Sequence, residues 1–165
     1  MSRPGERGAT VVLCGNPRPA SRTLAVGLAV AAAARPAGPE PIVIDLAAAE
    51  LDRAAALRQV HDAALLVVAT PTYKASFTGV LKLFLDEIAG GALTGVVAIP
   101  VMTAGDARHA LAVEVHLRPV LVELGASCPT AGVAVTGEAI DDPGPALVRW
   151  AEAARPLLGR LLDER

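Results

Sequence analysis

The sequence is poor in aromatics, in cysteine and in charge, and each shortage narrows the reading. Four aromatic residues occur in 165, which excludes an interior of stacked rings and leaves Ala, Val and Leu to fill it. The two cysteines, Cys14 and Cys128, stand far apart with no C-x-x-C spacing. That excludes a disulfide framework and points to packing thiols in a reducing compartment. The formal net charge is -2, and Lys and Arg form no block, so the field needed to hold a nucleic acid is missing. The longest uncharged stretches are Thr23–Ala34 and Ile88–Gly105, the second interrupted by Gly90, Gly91, Gly95 and Pro100. Neither provides a membrane span of about 20 apolar residues. The motifs HExxH and GxSxG and any spaced Cys/His set are absent, so neither a metal centre nor a catalytic acid, base or nucleophile is expected. The G-x-x-x-x-G-K-[ST] loop and the G-x-G-x-x-G fingerprint are missing too, against an ATPase or a Rossmann dehydrogenase.

What is present is a chain 53% hydrophobic, well outside the composition of disorder. Residues 1–9 are polar and lack the apolar stretch of a signal peptide, so they read as a loose tail before a single domain over 10–165 of a cytoplasmic protein. Five β-rich runs recur, at Thr10–Gly15, Pro41–Asp45, Ala64–Thr70, Gly95–Met102 and Thr130–Thr136. Most are continuously apolar, as strands covered on both faces must be. Helical segments separate them at Ser21–Ala34, Ala48–Ala63, Thr78–Ala89 and Ala107–Leu124, and Pro145–Asp163 closes the chain. Strict alternation predicts an α/β three-layer sandwich with a parallel five-stranded sheet. Right-handed crossovers leave few windings, of which the flavodoxin-like order 2-1-3-4-5 is a common one. Ligands then bind beyond the C-terminal ends of the strands, around the switch point.

Three loops fall at that edge. After strand 1 come Gly15, Asn16, Pro17, Arg18, Pro19, Ala20, Ser21, Arg22 and Thr23. Ser21 is placed to cap the helix, whose free amides and positive end attract an anion, and Arg18, Arg22, Ser21 and Thr23 add donors, so the loop reads as a phosphate cradle. Two arginines beside a helix cap would otherwise repel each other without a use. After strand 3 come Pro71, Thr72, Tyr73 and Lys74, followed by Phe77 and Phe84. Three of the four aromatics therefore lie within one short stretch, which suits packing against a flat ring, with backbone amides of the turn facing its polar edge. Phe84, at helical spacing, belongs to the core. After strand 4 come Thr103, Ala104 and Gly105, then His109, a structural residue at a helix start.

The segments GNPRPASRT and ATPTYKASFTGVLKLFLD together resemble the NADPH-dependent FMN reductase family, over roughly Val11 to Gly137. The alkanesulfonate-linked FMN reductases are the most similar in pattern. The resemblance implies that the first loop, with Asn16, Arg18, Ser21, Arg22 and Thr23, holds the FMN phosphate, and that Pro71, Thr72, Tyr73 and Lys74 hold the isoalloxazine. It places Thr103, Ala104 and Gly105 against the flavin, with alanine at 104 where the family often has glycine. Should that position need positive φ, alanine would strain the turn. The connection Leu46–Ala63 is also shorter than in relatives. The implied activity is hydride transfer from NAD(P)H to FMN, with a partner monooxygenase as consumer and no membrane or nucleic-acid partner. A quinone or azo reductase keeping FMN as a prosthetic group, an electron-carrying flavodoxin and a flavin-free relative of the same fold remain open, the flavodoxin disfavoured by the low net charge.

The segment Ala107–Leu124 is apolar on more than one face, with Leu117, Val120, Leu121 and Leu124 on one stripe and Leu111, Val115 and Val122 off it. Such a helix needs a second partner, so a homodimer or homotetramer is expected through it. Pro119 inside it costs roughly 3 kcal/mol and should kink it after Val115.

Overall fold

A computed structural model describes residues 8–163, and residues 1–7 of the expected tail lie outside the described residues. Five strands form one sheet: β1 (Thr10–Cys14), β2 (Ile42–Asp45), β3 (Leu65–Pro71), β4 (Val97–Ala104) and β5 (Val133–Thr136). Every pairing is parallel and the order is β2-β1-β3-β4-β5, as the alternation predicts. The α-helices are α1 (Arg22–Ala34), α2 (Arg53–His61), α3 (Gly79–Leu85), α4 (Arg118–Glu123) and α5 (Gly144–Asp163).

Central strands β1, β3 and β4 are buried at every residue, because helices cover both faces. Their side chains divide by parity between two cores. Val11, Leu13, Leu66, Val68 and Ala98 meet α2, α3 and α4 through Val60, Phe84 and Leu121. Val12, Leu65, Val67, Ile99 and Val101 meet α1 and α5 through Val26, Val30, Leu147 and Leu158. Each fully buried Leu or Val contributes roughly 1.5 to 3 kcal/mol, so these two layers hold the sheet. Phe84 is buried at the centre of the first, as its spacing predicts.

The expected helix over Ala107–Leu124 is not one helix. A 3₁₀ turn (Ala107–His109) is followed by a π-helical turn (Val113–Leu117) and then by α4, with Pro119 in its first turn. Pro119 has no N–H to return to the preceding turn, and the wider π turn makes room for its ring where a kinked α-helix was expected. The division of faces holds: Leu117, Leu121 and Leu124 are buried, while Leu111, Val115 and Val122 are more than half exposed. Helix α2 is shorter than the expected Ala48–Ala63, and Asp52 caps it by accepting the Ala55 N–H. Strand β5 begins at Val133, three residues later than expected.

Both cysteines are free, and burial raises each thiol's pKa. No helix among the described residues is long and apolar enough to cross a membrane.

Candidate functional site

The C-terminal ends of β1, β3 and β4 open into a cavity of about 470 Å³. The first loop forms one wall. Ser21 has extended backbone and its side chain accepts the Leu24 N–H at 3.3 Å, capping α1 as the sequence indicates. The preceding residue, Ala20, has φ 48°, a left-handed conformation in a non-glycine residue. It is held there by Asp45 at the end of β2, whose carboxylate accepts the Ala20 N–H at 2.9 Å and, through its other oxygen, the Ala47 N–H at 3.1 Å. Gly15 lets the loop leave β1 against α3: a Cβ there would lie 2.5 Å from that of Leu81.

Asn16, Thr23 and Thr103 are buried and bonded to one another. Asn16 Nδ2 donates to Thr23 Oγ1 at 3.2 Å, and Thr23 Oγ1 lies 2.9 Å from Thr103 Oγ1. Asn16 Oδ1 also accepts the Arg18 N–H at 2.9 Å. These three side chains join the first loop, α1 and β4 into one frame. Arg18 is exposed on the wall, and its guanidinium makes no ion pair among the described residues. Arg22 differs: its Nη1 lies 3.1 and 3.2 Å from the two carboxylate oxygens of Asp141. The repulsion between the arginines is therefore already relieved in part by a carboxylate.

The opposite wall is the turn after β3. Tyr73 and Ser76 bond each other's backbone around Lys74 and Ala75, whose φ values are 52° and 65°, the type I′ geometry usually reserved for Asn and Gly. Pro71, Thr72 and Tyr73 line the cavity, and Tyr73 is 47% exposed into open space. Lys74 does not line it. The amides expected to face a ring are partly engaged: that of Thr72 donates to Thr103 O at 2.7 Å and that of Tyr73 to Ser76 O. Those of Lys74 and Ala75 bond nothing among the described residues.

Thr103, Ala104 and Gly105 form the floor. Ala104 ends β4 without positive φ, so the alanine is unstrained. Beyond the residues legible in the sequence, Ile140 also lines the cavity, and Asp45 and Asp141 brace its arginine-bearing wall.

The residues suit a flavin nucleotide by their own features. The Thr72 hydroxyl is buried with no hydrogen-bond partner, and a Cβ built on Gly105 would meet nothing within 4 Å. Rotation of the orphaned Thr72 hydroxyl would offer one donor to a polar-edged ring in the cavity, and the bare backbone at Gly105 leaves room for it.

A parallel sheet in this order with its cavity at the switch point defines a flavodoxin-like α/β protein. A Streptococcus pneumoniae TIGR4 flavodoxin shares that fold at a TM-score of 0.65 and 20% identity, over 90% of this chain and 98% of that one. Within that class, the model of the NADPH-dependent FMN reductase family matches residues 9–141, and the chain belongs to this family. An FMN reductase (NADPH) of Pseudomonas putida is 40% identical over 101 residues, covering 61% of this chain. The chain spans about half the length of that relative, 47%. The apo form of an NADH:FMN oxidoreductase matches at a TM-score of 0.74 with 26% identity, over 94% of this chain and 89% of that one.

Proposed function

We propose that the protein is an NAD(P)H-dependent FMN reductase, with residues 10–165 as one flavin-binding domain, that passes reduced flavin to a partner monooxygenase. The observation that carries this reading is that one cavity is lined both by a helix-capping loop with two arginines and by a tyrosine-bearing turn with an unsatisfied hydroxyl. When bound, FMN supplies the hydride acceptor and the nicotinamide the hydride. The chain's residues position and shield. The start of α1 with Ser21, Arg18 and Arg22 binds the phosphate; Pro71, Thr72 and Tyr73 face the ring; the Asn16–Thr23–Thr103 frame fixes the separation of the walls. Electrostatic and steric placement suffices, so no side chain is assigned as acid, base or nucleophile. Free, largely buried thiols fit a reducing cytoplasmic setting.

The test is selectivity between FMN and riboflavin, which differ by the phosphate alone. Charged hydrogen bonds contribute about 1.5 to 3 kcal/mol each, so replacing Arg18 and Arg22 together by alanine should weaken FMN about tenfold or more while leaving riboflavin affinity as it was. Equal affinity of the unmodified protein for both flavins would show that the first loop does not bind the phosphate.

A further inference from the structure

Arg22, which lines the cavity, pairs with Asp141, 119 positions further along the chain, at the end of the 3₁₀ turn Gly137–Ile140. Both carboxylate oxygens lie on the same nitrogen, at 3.1 and 3.2 Å, and the side chains are 69% and 63% exposed. Neighbouring Ile140 lines the cavity, so the carboxylate stands at the rim and not on a remote surface. On the other side of the same loop, Asp45 already accepts the Ala20 N–H. Two arginines and two carboxylates thus surround the cradle, and their formal charges cancel before any ligand arrives. Asp45 is engaged by the loop amides, whereas the Asp141 carboxylate bonds only Arg22 among the described residues and offsets the charge that a phosphate would use.

We propose that Asp141 competes with the FMN phosphate for Arg22 and so weakens FMN binding enough for the flavin to leave after reduction; this rests on the FMN reductase reading above. An exposed ion pair is weak and quickly exchanged, whereas a phosphate offers Arg22 a stronger charge-assisted bond. Entry of FMN therefore displaces the carboxylate at a modest cost, and on departure Asp141 recaptures the guanidinium. The carboxylate acts through Arg22 and touches no reacting atom, which makes it a positioning residue that sets affinity for the phosphate-bearing flavin.

The experiment is titration of FMN and of riboflavin by flavin fluorescence into the unmodified protein, Asp141→Asn, Asp141→Glu, Arg22→Ala and the Arg22→Ala/Asp141→Asn double variant. Asp141→Asn should tighten FMN roughly three- to fivefold, the scale of one exposed ion pair, and leave riboflavin unchanged. Asp141→Glu, which keeps the charge, should retain the original selectivity, and the gain should vanish in the Arg22→Ala background. FMN bound no more tightly by Asp141→Asn, a gain that persists without Arg22, or an equal gain for riboflavin would each overturn the proposal while leaving FMN binding itself intact. Failure of the unmodified protein to distinguish FMN from riboflavin would overturn both this proposal and the phosphate-cradle reading.

Discussion

Lys74 and Ala75 hold the left-handed backbone that lets Tyr73 stand into the cavity, and neither is a residue type that adopts it without cost. An L-residue pays about 1 to 2 kcal/mol there, which glycine does not, although glycine loses more chain entropy on folding. Ala75→Gly should therefore stabilise the protein by about 0.5 to 1 kcal/mol in chemical denaturation. A variant of equal or lower stability would show that the turn is not strained. Most of the site was legible residue by residue, because loops after strands 1, 3 and 4 of such a sheet must converge. The residues singled out in those loops line one cavity except Lys74 and Phe77, the latter packed half-buried against the first core. Asp45 and Asp141 were not legible, since each acts on the first loop from 25 and 119 positions away, and nothing local distinguishes them from solvated carboxylates. Ala104 shows the converse: a local rule about glycine suggested strain, and extended strand backbone removes it.

At the scale of elements, the π turn is held by a clamp that periodicity could not reveal. Arg118 donates to the carbonyls of Cys128 and Thr130 at 2.7 and 2.6 Å and pairs with Glu114, which in turn accepts the Gly132 N–H at 2.6 Å. Spacing of apolar residues reports which face is buried but not whether the backbone closes 3₁₀, α or π turns, so the faces were legible and the breaks were not. The hydrogen bond from Arg118 leads the causes that hold the Glu114 pKa below its ordinary value of 4.5. A depressed carboxylate stabilises the fold fully above the unfolded pKa, and that contribution is lost as pH falls through 4.5 towards the folded value. Glu114→Gln should thus cost about 1 to 2 kcal/mol near neutrality, and the difference in melting temperature from the unmodified protein should close on acidification through this window. A difference independent of pH would mean that the carboxylate charge is not what holds the turn. Leu111, just before the π turn, and Val122, in α4, are 66% and 53% exposed. Replacing both by serine should reduce a homodimer or homotetramer to monomers in light scattering, and an unmodified protein that is already monomeric would rule out this face as a subunit contact.

For the whole molecule, the sheet order follows from alternation, burial and handedness, and the fold then fixes where a ligand must bind; the chemistry of that ligand is written in the loops and not in the sheet. In the function proposed above, this cavity brings FMN and a reduced nicotinamide together and lets the flavin go. The most direct measurement is oxidation of NADPH and NADH by the purified protein with and without added FMN, taken alongside its visible spectrum as isolated. A colourless protein whose turnover rises with added FMN is the expected result. A yellow protein that turns over only when given a quinone or azo acceptor, or one that neither binds flavin nor oxidises either nucleotide, would contradict it.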